Sequence, residues 1–420
     1  MIWRLGLALA ATAGAAAALA LSIGGRDAGA PPLRPDELSA EALVDAIGVV
    51  VHFNYVGTAY ERQQEVLSRL RELGVHNIRD AMPSRGEPLE AGLRAARREG
   101  IRATLATGDP ARDPASAVAD SVAVMGDDIA AFEGPNELDN SGDPAWPATL
   151  RSFMPALAAA VREHAPGTPV IGPSFVNPAS RSRIPPDLPG LLNGHPYPGG
   201  KPPEPVIGDA LRELGRGALE RGVVFTETGY HDALSASADH PPVSEAAAAV
   251  YLPRLLVTAF AAGVRRTFVY QLADEVPDPG LGDPAQHFGL LRHDLSPKPA
   301  FGAVKTLIAA LRASPGERSR GGLAWSLRVN GSGEVMRLTL VRRDGSRAIA
   351  LWRPVSVWDR DARRPIEPPP LPVELSFGLG GARDLAVWRP SVSSGPVLRR
   401  DFVRRLRLEL GGDLVLVSLR

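Results

Sequence analysis

Two runs of β-forming residues in this sequence end in a glutamate. The first run spans Phe132 to Glu137, and the second spans Val224 to Glu227. Two carboxyl groups that face each other can cleave a glycosidic bond, because one protonates the leaving oxygen while the other attacks or stabilises the anomeric carbon. Glu137 and Glu227 are therefore candidate catalytic residues, provided that the fold brings them together.

The elements that would position these residues are short strands alternating with amphipathic helices. Strand–helix alternation implies parallel pairing with right-handed crossovers, and eight units in about 250 residues is the size of a closed (β/α)8 TIM barrel. The fifth unit lacks a clear helix, and an open doubly wound sheet is the alternative. The strand candidates are 47–53, 75–79, 101–107, 129–133, 169–173, 191–195, 223–227 and 267–270.

In such a barrel the active site lies at the carboxyl ends of the strands, where Glu137 follows the fourth strand and Glu227 ends the seventh. Simpler interpretations remain open for each residue. Glu227 could be an acidic residue near a helix N-terminus, and Arg79 could form an ordinary salt bridge with Asp80 or Glu133. His195 could be a packed turn residue. The separation of the carboxyl groups would decide between retention and inversion.

Four motifs make the sequence resemble clan A of the glycoside hydrolases, over about residues 45–312. The resemblance implies a retaining mechanism with Glu137 as acid/base and Glu227 as nucleophile. It also implies that Asn136 hydrogen-bonds a sugar 2-hydroxyl and that Arg79 and Tyr197 orient the nucleophile. The motifs are Asn136-Glu137, Thr226-Glu227, Arg79 at the end of the second strand, and His195-Pro196-Tyr197 at the end of the sixth.

The sequence departs from clan A at the eighth strand, where members of the clan place a sugar-stacking Trp and this chain has Tyr270. Any exposed aromatic face can pack on a pyranose ring, so Tyr270, Phe288, Trp146 and Tyr230 are candidates for that role. We find no metal-binding His-Glu-x-x-His helix, no phosphate-binding loop and no serine elbow. No cofactor or metal is expected.

The remaining chain divides into an export segment, a linker and a C-terminal module. Residues 1–30 contain Arg4 and an apolar run over 5–23, which predicts a signal peptide or an N-terminal membrane anchor. Residues 31–44 are interpreted as a linker and 45–314 as the barrel. Beyond residue 314 the periodicity changes from 3.6 to 2, which predicts an accessory β-sandwich module over 315–420; such a module also resembles family 39 of the clan.

Composition limits the possible partners. The 420 residues include 47 basic and 47 acidic residues and no cysteine, so there is no large net field for nucleic acid and no disulfide or thiolate chemistry. An oligosaccharide or polysaccharide substrate outside the cytoplasm is expected, reached by a periplasmic, extracellular or membrane-anchored protein. A carbohydrate-binding barrel without activity and an envelope scaffold acting through the β-module are the alternatives.

Overall fold

The structure, a computed structural model, describes residues 37–237, 240–312, 324–378 and 381–420. The described chain begins with strand β1 (Glu37–Ser39) and helix α1 (Ala40–Ala46). Eight parallel strands follow. They are β2 (Ile47–Val50), β3 (Asn77–Ala81), β4 (Arg102–Thr107), β5 (Ile129–Pro135), β6 (Val170–Ile171), β7 (Leu192–Gly194), β8 (Val223–Thr228) and β9 (Arg266–Val269).

Helices separate most of these strands. The fifth crossover instead contains a short 3-10 helix, Pro178–Arg183, in a segment whose prolines cannot donate the hydrogen bonds of an α-helix. The α-helices are α2 (Gln63–Leu73), α3 (Pro88–Arg98), α4 (Pro114–Met125), α5 (Trp146–His164), α6 (Pro203–Leu214), α7 (Ala218–Arg221), α8 (Glu245–Ala261) and α9 (Pro299–Arg312).

The eight strands close into a barrel. Their order is β6-β5-β4-β3-β2-β9-β8-β7, and a parallel bridge between Ile171 and Leu191 joins the two ends. Leu191 N donates to Val170 O at 2.8 Å, and Gly172 N donates to Leu191 O at 2.8 Å. The predicted (β/α)8 barrel is confirmed, and all eight strands lie where the sequence placed them to within a few residues.

The C-terminal region is an all-β module with two principal sheets. The six-stranded sheet has the order β1-β11-β12-β19-β16-β17, and the three-stranded sheet has the order β10-β15-β18. The module strands are β10 (Trp325–Val329), β11 (Met336–Val341), β12 (Arg347–Trp352), β13 (Trp358–Asp359), β14 (Arg364–Pro365), β15 (Leu371–Phe377), β16 (Leu385–Trp388), β17 (Leu398–Arg400), β18 (Arg405–Leu410) and β19 (Val415–Leu419).

The centre of the six-stranded sheet is buried on both faces. Along β12, Ala348, Ala350 and Trp352 belong to the large core shared with the barrel helices, whereas Ile349 and Leu351 pack in the core between the two sheets. Successive side chains of a strand point to opposite faces, so this strand contributes to both cores at once. The module is therefore packed tightly against the barrel.

The linker predicted over 31–44 requires a correction across its described part. β1 pairs in parallel with β11, with Leu38 opposite Leu340, and Glu37 forms a buried salt bridge of 2.8 Å with Arg347. Helix α1 then buries Leu43 in the barrel core. The segment folds because its few apolar and charged residues find partners on the module, which come from sequence some 300 residues away.

The predicted export segment, including the apolar run over 5–23, lies outside the described residues. Among the residues that are described, no helix combines the length and apolar character of a membrane span.

Arg254 of α8 connects the barrel to the module. Its side chain is fully buried and forms a bidentate pair with Glu204 at 2.9 and 2.7 Å. It also donates to the carbonyl oxygens of Val355 at 2.9 Å and Gly412 at 2.8 Å. One guanidinium thus holds together α6, α8 and two turns of the module.

We expect Arg254→Met to lower the free energy of unfolding by about 3–5 kcal/mol, because Glu204 is left as a buried charge without its partner. The double variant Arg254→Met with Glu204→Met should recover part of this loss, since no lone charge remains. Urea unfolding followed by circular dichroism measures both. A single variant as stable as the wild type would contradict this account of the contact.

Candidate active site

Glu137 and Glu227 meet at the carboxyl ends of the barrel strands. Glu227 lies within β8, and Glu137 follows β5 in a left-handed backbone conformation with φ of 46°, which costs a non-glycine residue energy and is often found at functional sites. One carboxylate oxygen of Glu137 and one of Glu227 lie within 4.8 Å of each other. His195 lies between them, with Nδ1 2.6 Å from Glu137 Oε1 and 3.7 Å from Glu227 Oε2.

Arg79 and Tyr197 hold Glu227 in place. Arg79 donates to Oε1 at 2.6 Å, and the phenol of Tyr197 donates to Oε2 at 2.7 Å. Burial alone would raise the pKa of Glu227, but the charges of His195 and Arg79 and these hydrogen bonds lower it below its ordinary value. Burial and the charge of Glu227 raise the pKa of Tyr197 well above its usual range, so its hydroxyl remains a donor. Glu227 is therefore kept ionised.

A second buried carboxylate, Glu133, organises the base of the site. It accepts from Arg79 Nε at 2.7 Å and from Arg79 NH2 at 2.9 Å. It also accepts from Asn193 Nδ2 at 3.0 Å and is 2.9 Å from the hydroxyl of Thr226. Arg79 thus pairs with Glu133 and with Glu227 at once, and Glu133 is the acceptor that fixes the guanidinium beneath the nucleophile candidate.

The position of the protons around His195 follows from its neighbours. The hydroxyl of Thr226 has acceptors on two sides, Glu133 Oε1 at 2.9 Å and Asn193 Oδ1 at 2.8 Å. Its single proton goes to one of them, so His195 Nε2, 2.8 Å from Thr226 Oγ1, acts as the donor in that contact. One proton is then shared between His195 Nδ1 and Glu137 Oε1 across 2.6 Å. The 2.6 Å contact is short enough for a proton to pass between the ring and the carboxyl group.

Asn136 presents its amide group at the same rim. Its Oδ1 accepts from Arg79 NH2 at 2.8 Å and from Ser174 Oγ at 3.2 Å. Because the oxygen is held in this way, the amide NH2 is the part of Asn136 that can donate to a ligand. The residue is exposed, so a sugar hydroxyl can reach it.

Among the described residues, Glu137, His195 and Glu227 are also the group whose ligand atoms are close enough together to bind a metal ion. Glu227 already accepts on both oxygens, and one of those donors is a guanidinium. A cation would have to displace or repel Arg79, so this donor set suits proton transfer better than metal binding.

Comparison with known proteins gives matches at the level of structure. No protein-family model and no curated protein matches the sequence. A family 39 glycoside hydrolase from Bacteroides cellulosilyticus WH2 superposes with a TM-score of 0.62, at 17% identity, over 92% of this chain and 83% of that one. The family 39 enzyme from Xanthomonas axonopodis pv. citri gives 0.59 at 16% identity, covering 92% and 96%. A monomeric β-xylosidase from Caulobacter crescentus CB15 gives 0.56 at 16% identity, covering 93% and 98%.

The chain has the fold of the family 39 glycoside hydrolases. The alignments include the β-module as well as the barrel, because they cover more than nine-tenths of the chain. The resemblance proposed from the sequence is thus confirmed for the fold.

Tyr270 lies at the end of the eighth strand of this family 39 fold, at the position where members of clan A have a sugar-stacking Trp. Its ring lies 6.2 Å from that of Tyr197 and 5.5 Å from that of Phe288, and all three rings are partly exposed at the rim. The backbone of Tyr270 also lies close to Gly229. A glycine permits this contact, since a Cβ there would be 2.4 Å from the carbonyl oxygen of Tyr270. Tyr270 and Phe288 therefore offer aromatic surface beside Glu227.

Trp146 and Tyr230 were predicted as candidates for stacking on a sugar ring, and the structure corrects this prediction. Trp146 is 3% exposed at the start of α5 and packs against Phe175 with a ring distance of 5.8 Å. Tyr230 is 6% exposed, stacks on Tyr251 at 5.2 Å and donates to the carbonyl oxygen of Lys201. Both rings serve the packing of the barrel wall, so neither presents a free face to a sugar.

Two further residues lie beside the site although they were not among the predicted site residues. His52, which follows β2, is partly buried and stacks on Tyr55 at 4.3 Å, and its Nε2 is buried without a hydrogen-bond partner in the described part of the chain. Burial lowers the pKa of His52 to about 4, so the ring is neutral. Glu275 accepts from Gln271 at 3.1 Å and is partly exposed. Glu275 can therefore accept a hydrogen bond from a hydroxyl group.

Glu133 and Asn193 were not predicted as site residues, although the strand sequences contain a signal for them. Glu133 and Asn193 are polar residues inside otherwise apolar strand segments, and polar groups there are stable only when they are paired. A polar residue at such a position in the sequence therefore indicates a buried hydrogen-bond network.

We expect Glu133→Gln to reduce kcat by about 10- to 100-fold with little change in KM, because Arg79 and Thr226 lose a shared acceptor and the two carboxyl groups lose their relative position. Steady-state kinetics on a chromogenic glycoside measures the split, and a thermal melt run in parallel shows whether the variant is folded. An unchanged kcat would exclude Glu133 as a positioning residue.

Tyr197→Phe should lower kcat/KM by about 10- to 100-fold, which corresponds to the loss of one hydrogen bond to a charged group. The acidic limb of the pH–activity profile of this variant should also move to higher pH. The direction follows because the lost donor favoured ionised Glu227, and without it the pKa of Glu227 rises. Tyr230→Phe removes the hydroxyl of a nearby tyrosine that donates to Lys201 and not to Glu227, and it is the matched control. Identical pH profiles for the two variants would contradict the assignment.

Proposed function

We propose that the protein is a retaining glycoside hydrolase that cleaves β-glycosidic bonds of an oligosaccharide or polysaccharide, with Glu137 as acid/base and Glu227 as nucleophile. The observation that carries this proposal is the separation of the carboxylate oxygens, which is within 4.8 Å. Retaining enzymes have carboxyl groups about 5–5.5 Å apart, whereas inverting enzymes need about 6.5–9.5 Å to admit water. A gap of this size favours retention over inversion.

The geometry supports a double displacement. Glu227, ionised by Arg79 and Tyr197, attacks the anomeric carbon while Glu137 gives its proton to the glycosidic oxygen, and the alcohol leaves. Glu137 then accepts a proton from water, which attacks the same carbon and releases Glu227. The proton of Glu137 leaves with the alcohol in the first step, and the proton taken from water in the second step restores the acid beside His195. Two inversions leave the configuration unchanged.

The solved structures with this fold support a carbohydrate substrate. The Caulobacter crescentus protein is described as a β-xylosidase, and a protein from Croceicoccus marinus with a TM-score of 0.57 at 13% identity is described as a glucosidase. We therefore propose β-xylosides and β-glucosides as the first substrates to test.

We further propose that the protein acts outside the cytoplasm on an extracellular or cell-envelope glycan. Support comes from Arg4 and the apolar run over 5–23, which have the order of an export signal or membrane anchor. Fractionation of cells that express the full chain, with detection of the C-terminus, tests this. Recovery solely in the cytoplasm would contradict it.

Product stereochemistry tests the proposed reaction. A p-nitrophenyl β-xyloside or β-glucoside is mixed with the enzyme, and the first sugar product is followed by proton NMR before mutarotation. The β-anomer is expected to appear first. Initial formation of the α-anomer would overturn the retaining mechanism, and binding of a glycan panel without any turnover would favour the non-catalytic barrel.

A further inference from the structure

One surface of the accessory module carries a concentration of positive charge. We call it the arginine edge, and it consists of residues 399, 400, 404, 405 and 407, which are all arginines and all exposed. Between residues 395 and 407 only Asp401 is acidic, although the chain as a whole has 47 basic and 47 acidic residues. The balanced composition therefore conceals a local positive surface.

Most of this charge is not neutralised within the protein. Arg407 pairs with Glu374 at 2.9 Å, and Arg400 donates to the carbonyl oxygen of Arg399 at 3.0 Å. Among the residues that the structure describes, no carboxylate forms a salt bridge with Arg399, Arg400, Arg404 or Arg405. Exposed arginines without acidic partners can pair with an external anion at little desolvation cost.

The arginine edge follows one extended segment. In the described part of the chain, β17 pairs with β16 and forms one edge of the six-stranded sheet, while β18 pairs with β15 and forms one edge of the three-stranded sheet. The connection between them passes from one sheet to the other. The five arginines thus belong to one continuous segment that joins an edge strand of one sheet to an edge strand of the other.

Phe402 lies in the middle of this segment. Phe402 is 64% exposed, and the guanidinium of Arg383 lies 4.9 Å from the centre of its ring. The other ring face has no aromatic or cationic neighbour among the described residues. An exposed aromatic face can pack on a sugar ring, whose C–H groups are apolar.

We propose that the arginine edge binds an acidic polysaccharide, with its carboxylate groups on the guanidinium groups and a sugar ring on Phe402. The planar guanidinium group matches a carboxylate in a two-bond geometry. The carbohydrate character of the partner rests on the proposed function of the barrel. The module would then hold the chain near a uronic-acid-containing polymer while the barrel acts on it.

Binding of the full chain to polygalacturonate at low salt tests the inference, with neutral dextran as the matched uncharged polymer. The triple variant R399S/R404S/R405S should bind polygalacturonate about tenfold more weakly or worse, since each exposed charge pair contributes modestly. The variant R98S/R162S/R216S removes three exposed arginines of the barrel and should bind as the wild type does. Phe402→Ala should weaken binding with all charges retained.

Several results would overturn the inference. They are absence of binding to polygalacturonate, equal losses in the two triple variants, and equal affinity for phosphatidylglycerol vesicles or duplex DNA at the same ionic strength. Binding is measured in the Glu227→Gln background, where no turnover is expected. Failure of hydrolysis on every substrate would therefore refute the proposed function and leave this binding result intact. Absence of binding to polygalacturonate would refute the binding inference and leave the proposed function intact.

Discussion

Glu227→Gln is expected to reduce kcat/KM by about 10⁴-fold or more, because the amide cannot form the covalent intermediate on which double displacement depends. The fold should remain intact, since Glu133 still pairs with Arg79 and the amide oxygen can accept one of the two hydrogen bonds of the carboxylate. Steady-state assays and a thermal melt measure the two effects separately.

Glu275→Gln is the matched control for that variant. It changes a partly exposed carboxylate of the same rim that does not contact Glu137 or Glu227, so a loss of no more than about tenfold is expected for one hydrogen bond to substrate. A Glu227→Gln enzyme with near-wild-type rates on its preferred substrate would rule out the nucleophile assignment.

Glu137→Ala is expected to give the second large effect, and its size should depend on the leaving group. Substrates with a poor leaving group should lose about 10²- to 10⁴-fold in kcat/KM, because they need the proton that Glu137 supplies. An activated dinitrophenyl glycoside needs no such proton, so formation of the intermediate should be far less affected. The comparison of the two substrates measures acid catalysis directly.

Azide provides a second measurement on the same variant. With the Glu137 side chain removed, the small anion can enter and attack the intermediate on Glu227, which should restore turnover and yield a β-glycosyl azide. An α-glycosyl azide, or equal losses on activated and unactivated substrates, would contradict the roles proposed for the two carboxyl groups.

The two glutamates differ in their hydrogen-bond partners although they lie a few ångströms apart. Glu227 is surrounded by donors, from Arg79 and Tyr197, and these favour the carboxylate. Among the described residues, the side chain of Glu137 is hydrogen-bonded to His195. In the proposed mechanism the nucleophile and the acid are therefore distinguished by their partners, since the side chains are chemically identical.

The sequence by itself determined the order of the elements. Alternation of strand and helix periodicities is a local property, so the barrel and the change to a β-module could be predicted from residue patterns. The positions of Glu137 and Glu227 at strand ends followed from the same patterns, because all parallel strands of a barrel end at one rim.

Only the tertiary structure decided the distances and the burial. The approach of the carboxylate oxygens to within 4.8 Å depends on closure of the barrel between β6 and β7, and no local pattern encodes it. The same holds for Glu133, whose partners come from three other strands, and for Trp146, which an amphipathic pattern cannot distinguish as buried or exposed. Residues 37–44 of the predicted linker gave no local sign of structure because the partners of β1 lie at the other end of the chain, where only folding brings them within reach.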